Sequence, residues 1–389
     1  MKKGHSTVAA VASVAFILLA MPASSQVIIS GNDEKVLWDD AGKQINLPPG
    51  KDTISFIDIG DPESPKILTS ITLENSIFGP PTNLAVHPGG EIALVANSVT
   101  QTKDGENWKP VPDNKVYIFD LKANPPKQIG TVQVGKQPSG LDISKKGDLA
   151  LITNRGDNSI SVLAISGKDV KVIDTIAMGD SVAHVAISAD GTKALAVKPI
   201  VSKVAFLKID GQKVVYEKYD MPTGIFPYNV DIVPSGKIAL VANNGGGGYP
   251  DGNVDTVSVI DLEQNPPRVI DHVVVGDAPE GFAISPKGDL AFAILVAGNT
   301  DKKAFFYHKV GSVVALKIDG KKVTKVGDAI EVGGLPEGVA FSPDGAYAYV
   351  GNFIDSDISI LKISGTQVTD SGKKLKLPGH PASLRGVPK

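Results

Sequence analysis

The sequence predicts an all-β protein: a seven-bladed β-propeller of four-stranded antiparallel blades, its ring closed by N- and C-terminal strands that share one blade. Three observations predict it. A pattern of about twenty residues returns six times, apolar strand-like runs follow each copy, and the two chain ends together supply the pieces of a seventh.

The clearest copy, GGLPEGVAFSPDGAYAYVGN, starts at Gly333, and others start at Gly79, Gly135, Gly179, Gly224 and Gly276, about 45 to 57 residues apart. That period belongs to propellers and solenoids. Each copy holds a short apolar stretch, a glycine turn such as SPDG, SPKG or SADG, and a second stretch such as IALVA. A third stretch (VSVIDL, ISVLAI) and a fourth (PRVIDHVVVG) complete a blade. Many of these strands are apolar on successive residues, as expected where neighbouring sheets cover both faces. For the seventh blade, GHPASLRGV from Gly379 matches only a first strand, while KVLWD, TISFIDI and PKILTSITL before Gly79 match a second, third and fourth. Joining them removes the open edge of a linear array.

Residues 1–25 read as an export signal: Lys2 and Lys3, an apolar run from Val8 to Ala20 too short to span a bilayer, and small residues Ala23 and Ser25 before a cleavage point at Gln26. Residues 26–389 then form a single propeller domain, expected in the periplasm or secreted. With no other long apolar run and no cysteine for lipidation, no integral membrane anchor is expected. The absence of cysteine also excludes disulfides, thiolate metal ligands and c-type haem attachment. Net charge is −3 and the only arginines are Arg155, Arg268 and Arg385, so no basic stripe marks a nucleic-acid partner.

The stretch SPDGAYAYVGN at Ser342 to Asn352, with LVAN at Leu94, LITN at Leu151 and LVAN at Leu240, resembles the YVTN-repeat propellers, which include lactonase-like and cytochrome-associated members. The resemblance covers nearly the whole mature chain and speaks to fold more than to activity. It implies two functional alternatives: a lactonase-like hydrolase working with Glu, His and Arg side chains near the channel, or the propeller subunit of a periplasmic redox complex whose partner carries the cofactor.

Strand alternation places the turns between second and third strands, and the links between blades, on one face, here called upper. The opposite turns (SPDG, IDG, ISG, NPP) carry ordinary turn chemistry, and the tripeptide Arg155-Gly156-Asp157 is read the same way. The upper face carries the insertions Ser98–Asp113, Asn243–Asp255 and Ala297–Lys309, and with them Trp108, Phe226, Tyr228, Tyr249, Phe305, Phe306 and Tyr307. All but Trp108 belong to neighbouring blades four and five. These aromatics are the candidate ligand- or partner-binding residues, and they support a binding protein for a periplasmic protein or small ligand.

Polar residues are expected at the channel entrance: Asn83, Ser139, His184, Asn229, Glu280, Glu337 and His380. Of these, Glu280, Glu337 and His380 lie on consecutive blades and are the candidate ligands of a divalent cation, the one cofactor the sequence suggests. His184, Glu280, Glu337, His380 and Arg385 are the candidate catalytic set. Arg385, Asp142 and Asp231 stand at an inner-strand position that is alanine in other copies, as a salt-bridged strut or a ligand clamp. His87, His272 and His308 lack zinc-site spacing, and no G-x-S-x-G nucleophile elbow occurs.

Overall fold

The computed structural model describes residues 26–246 and 249–387. The expected signal segment 1–25 lies outside the described residues, as do Gly247 and Gly248. Within them the regular structure is strand, arranged as seven four-stranded antiparallel sheets and two short hairpins. Blade two shows the plan, running outward from the channel as Pro138–Ile143, Leu149–Asn154, Ser159–Ser166 and Asp169–Ala177.

The predicted closure is present. In blade seven the C-terminal strand His380–Gly386 lies innermost and pairs antiparallel with Val27–Asp33, which pairs with Thr53–Asp58 and then Lys66–Thr72. The expected second strand differs. KVLWD does not enter the blade; Val36–Trp38 pairs instead with Gln44–Asn46 in an upper-face hairpin. The reason is the Asn that ends second strands elsewhere in the repeat. Asn32 fills that role, donating to Thr53 and Ser55 of the third strand at 2.9 and 3.1 Å, whereas Trp38 packs edge-on against Phe353 of blade six at 5.7 Å.

The repeat residues are structural. Asn154 donates to Ser159 and Ser161, and Asn352 to Asp357 and Ser359, tying second strand to third at the upper end. At the lower end Ser342 donates to Asp344 and accepts from the Tyr347 backbone N–H, closing the SPDG turn.

Second strands such as Ile238–Asn243 are buried along their whole length because both sheet faces are covered. The core is divided accordingly, with one apolar cluster between each neighbouring pair of blades around the ring. Outer strands alternate, as in the exposed and half-buried pattern of Lys66–Thr72. An eighth cluster lies on the upper face, where Val36, Leu37 and Trp38 of the hairpin pack with Ile77, Phe78, Leu335, Phe353 and Ala382.

The closing strand generates a stability prediction. Leu384 is fully buried between blades six and seven, so Leu384→Ala should destabilise by about 2–5 kcal/mol. Ile67→Ala on the outer strand should change stability by less than about 1 kcal/mol. Denaturant melts of the two variants check this, and equal midpoints would remove the closing strand from its structural role.

Candidate functional site

The seven innermost strands line a central channel running from upper to lower face. Aligning the blades on their inner strands gives two levels of departure from the repeat. At the upper end the equivalent residues are Thr82, Ser139, Ala183, Tyr228, Glu280, Glu337 and Ala382. Three residues further on, about 10 Å along a strand, they are Ala85, Asp142, Ala186, Asp231, Ala283, Ala340 and Arg385.

At the upper mouth Glu280 and Glu337, on blades five and six, stand close enough that the charge of one acts on the other. Burial pushes the Glu280 carboxyl up to about 7, against the opposing pull of Arg155. Burial, reinforced by the Glu280 charge, raises Glu337 well above the ordinary carboxylate range. Two carboxyl groups that share one low-dielectric space do not both ionise readily, so the pair holds a proton at neutral pH. Arg155 reaches from the second-to-third turn of blade two over the Tyr228 ring of blade four, 5.9 Å from its centroid. Tyr228 itself is buried. Arg155 therefore belongs to the site and is more than a turn residue. The available signal was that it is one of only three arginines and lies on the upper face.

Buried polar atoms without partners gather around this mouth: Thr82 Oγ1, Ser139 Oγ, Glu337 Oε2 and both amide atoms of Asn229 and Asn244. Asn244 faces Glu280, and Asn229 faces His184, but neither amide reaches good hydrogen-bond geometry. Close packing fixes the wall, since a Cβ on Gly140 would strike both His184 and Thr82 Oγ1.

The roof is the blade-seven hairpin. Its root is held by Lys35, fully buried, whose ammonium donates to Asp52 at 2.6 Å and to the Asn75 carbonyl and lies 3.6 Å from Asp33. Its tip reaches blade five, where Lys302 pairs with Asp40 at 2.6 Å. On the other side it meets the blade-one hairpin Val99–Asp104/Asn107–Pro112, through a Gln101–Asn46 hydrogen bond. Trp108 is half-buried on that hairpin, away from blades four and five.

Below the mouth, His184 lines a cavity of about 230 Å³ together with Asp142, Asp231 and Arg385. Burial and the Arg385 charge hold its imidazole well below the usual range. It is neutral, and its Nδ1 accepts from the Val230 N–H at 3.3 Å, which leaves the proton on Nε2.

The predicted candidates thus divide. Glu280 and Glu337 share the upper mouth, while His184 and Arg385 belong to the lower cavity. His380 joins neither, because it aligns with Leu335, two residues ahead of the glutamate position. It stacks on Phe353 with ring centroids 4.9 Å apart, and its Nδ1 lies 2.7 Å from the Phe353 carbonyl oxygen. Among the described residues no three His, Asp or Glu side chains are grouped to hold a metal ion.

The aromatics of blades four and five form two pairs instead of one cluster: Phe226 with Tyr228 at 5.7 Å and Phe305 with Phe306 at 5.1 Å. Phe305 is 93% exposed and Tyr249 75%. Phe306 is wedged between the blade-four and blade-five loops, where Cβ atoms on Gly252 or Gly298 would collide with it. Tyr307 is half-buried.

No family model matches the sequence, and no curated protein does. Solved structures do. The periplasmic gluconolactonase PpgL of Pseudomonas aeruginosa is 17% identical, with a TM-score of 0.67 over 94% of this chain and 99% of that one. A protein of unknown function from Desulfotomaculum acetoxidans is 15% identical, with a TM-score of 0.68 over 93% and 99%. Hydrazine synthase of Kuenenia stuttgartiensis is 21% identical, with a TM-score of 0.56 over 75% and 78%. At these identities the likeness is one of fold.

Two predictions follow from this geometry. An acid whose carboxyl is raised by folding binds its proton more tightly in the native state. The Glu280 contribution is therefore greatest below its ordinary 4.5 and is lost as pH rises from there to about 7. The Glu280→Gln/Glu337→Gln double variant should be more stable than wild type above pH 7, by on the order of 2 kcal/mol, and the gap should shrink towards pH 5. Thermal melts across that range read it, and parallel curves would show that the pair is not raised. On the rim, Phe306→Ala should destabilise by roughly 1–3 kcal/mol and Phe305→Ala by less than about 0.5 kcal/mol, as denaturant melts would measure.

Proposed function

We propose that this protein is an exported binding protein of YVTN-repeat type that holds a small, hydroxyl-bearing ligand in the upper mouth of its channel. The observation that carries the reading is the gathering there of buried polar atoms that make no good hydrogen bond within the protein, on Thr82, Ser139, Asn229, Asn244 and Glu337. A buried donor or acceptor left unpaired costs about 1–3 kcal/mol, so a wall built from several of them is suited to a ligand that offers both donors and acceptors. The charge of Arg155, held over the Tyr228 ring, adds orientation. The N-terminal charged and apolar run supports export.

A second reading, lactone hydrolysis, is favoured by the carboxyl pair. In it, ionised Glu280 takes a proton from water as the water oxygen bonds to the lactone carbonyl carbon. Arg155 faces the developing oxyanion, and Glu337 gives its proton to the ring oxygen as the acyl C–O bond breaks. The likeness to a gluconolactonase structure points the same way.

Calorimetry against a panel of sugars, sugar acids and lactones, with turnover followed in parallel, separates the two. Binding without turnover, weakened at least tenfold by Asn229→Leu, is the expected result. Lactone turnover lost in Glu280→Gln while binding persists would make the protein a hydrolase. Neither binding nor turnover across the panel would overturn both.

A further inference from the structure

The lower cavity poses a separate question, because its charged residues neither serve the upper mouth nor pair with one another. Four blades place alanine at its level (Ala85, Ala186, Ala283, Ala340), and those small side chains leave the space open. The other three place Asp142, Asp231 and Arg385. Each aspartate is fixed by two backbone N–H groups from adjacent inner strands: Asp142 accepts from Ile143 and Ile187, and Asp231 from Ile232 and Ile284, all at 2.7–3.0 Å. Oriented in this way, each carboxylate keeps lone pairs directed elsewhere. Arg385, among the described residues, makes only a long 3.5 Å hydrogen bond, to the Phe282 carbonyl oxygen, and forms no ion pair. It feels the charges of Asp231 and Asp142 without touching either.

A strut would have closed these distances. What remains is a guanidinium with most of its donor fork unspent, facing two rigid carboxyl groups across a cavity of about 230 Å³, room for roughly eight waters' worth of ligand. An anion alone would meet two aspartates, and a cation alone would leave the guanidinium unpaired and repelling it. Arginine's planar fork matches a carboxylate in bidentate fashion, and carboxylates held apart from it match an ammonium group.

We propose that the lower cavity is a binding site for a small zwitterion of the α-amino acid class, its carboxylate on Arg385 and its ammonium group on Asp142 and Asp231. The cavity opens to the lower face beside Lys145, Pro88, Pro234 and Pro286, so the ligand enters from the side opposite the upper mouth and the two sites fill independently.

The test uses the purified full-length protein with glycine, L-alanine and L-serine, and with propionate, ethylamine and glycerol as probes carrying one half of the chemistry or neither. At saturating concentration at least one zwitterion should raise the melting temperature by a few degrees, while each single-function probe at equal concentration leaves it unchanged. Arg385→Gln should weaken binding at least tenfold. Because that residue lies on the closing strand, Ala186→Leu serves as the second variant. It fills the cavity at a position where three other blades already carry larger side chains, and it should abolish binding with the folded spectrum intact. The Glu280→Gln/Glu337→Gln variant should bind as wild type does. The proposal is overturned if no zwitterion shifts the melt, if propionate, ethylamine or glycerol shifts it as much as the most effective zwitterion does, or if binding survives in folded Ala186→Leu.

Discussion

Everything in this molecule depends on the antiparallel pairing of the chain ends, His380–Gly386 against Val27–Asp33. A four-stranded blade cannot bury both of its faces alone, and each of the seven clusters around the ring is made from two neighbouring blades. Leaving the ring open would strand two of those half-faces in water and expose an unpaired edge. Closure makes every interface equivalent, and it holds the seven inner strands as a rigid collar around one channel. Leu384 and Tyr349, both buried without remainder between blades six and seven, are where the ends become part of the core.

A rigid collar makes individual substitutions meaningful. Where the repeat supplies alanine at the lower level, an aspartate or arginine cannot relax away, because its backbone is held on both sides by blade packing. The same constraint holds Glu280 and Glu337 together at the upper mouth. Burial raises both carboxyls, and the Glu280 charge adds to the rise at Glu337, because the frame does not open to let water reach them.

The roof adds a second layer of control. Lys35 buries an ammonium group completely, which is tolerable only because Asp52 and the Asn75 carbonyl receive it. Even so, burial keeps the neighbouring Asp33 raised to about 6, with the Lys35 charge opposing. This buried ion group fixes the angle at which the Val36–Asn46 hairpin leaves blade seven. The hairpin in turn covers the mouth on the side of blades five, six and seven. Exposed apolar side chains remain on the upper face from blade three to blade six, at Ile200, Ile225, Tyr249, Val254, Phe305 and Ile354.

The architecture, the blade count, the closure by both ends and the turn service of the repeated Ser and Gly were legible along the chain, because these are local patterns written once per blade; the role of the repeated Asn, which ties second strand to third, showed only in the fold. The sequence also located Glu280, Glu337, His184 and Arg385 on inner strands. It misread KVLWD as a blade strand, since three apolar residues look alike in a strand and in a hairpin, and only the pairing partners of Asn32 and Trp38 tell them apart. Tertiary structure alone decided what meets what. Arg155, in a turn of blade two, lies over a ring of blade four. His380 is turned to Phe353 and away from the glutamates, and Phe306 is half-buried beside an exposed Phe305. These contacts join residues on different blades, and no local pattern along the chain encodes the distance across a channel.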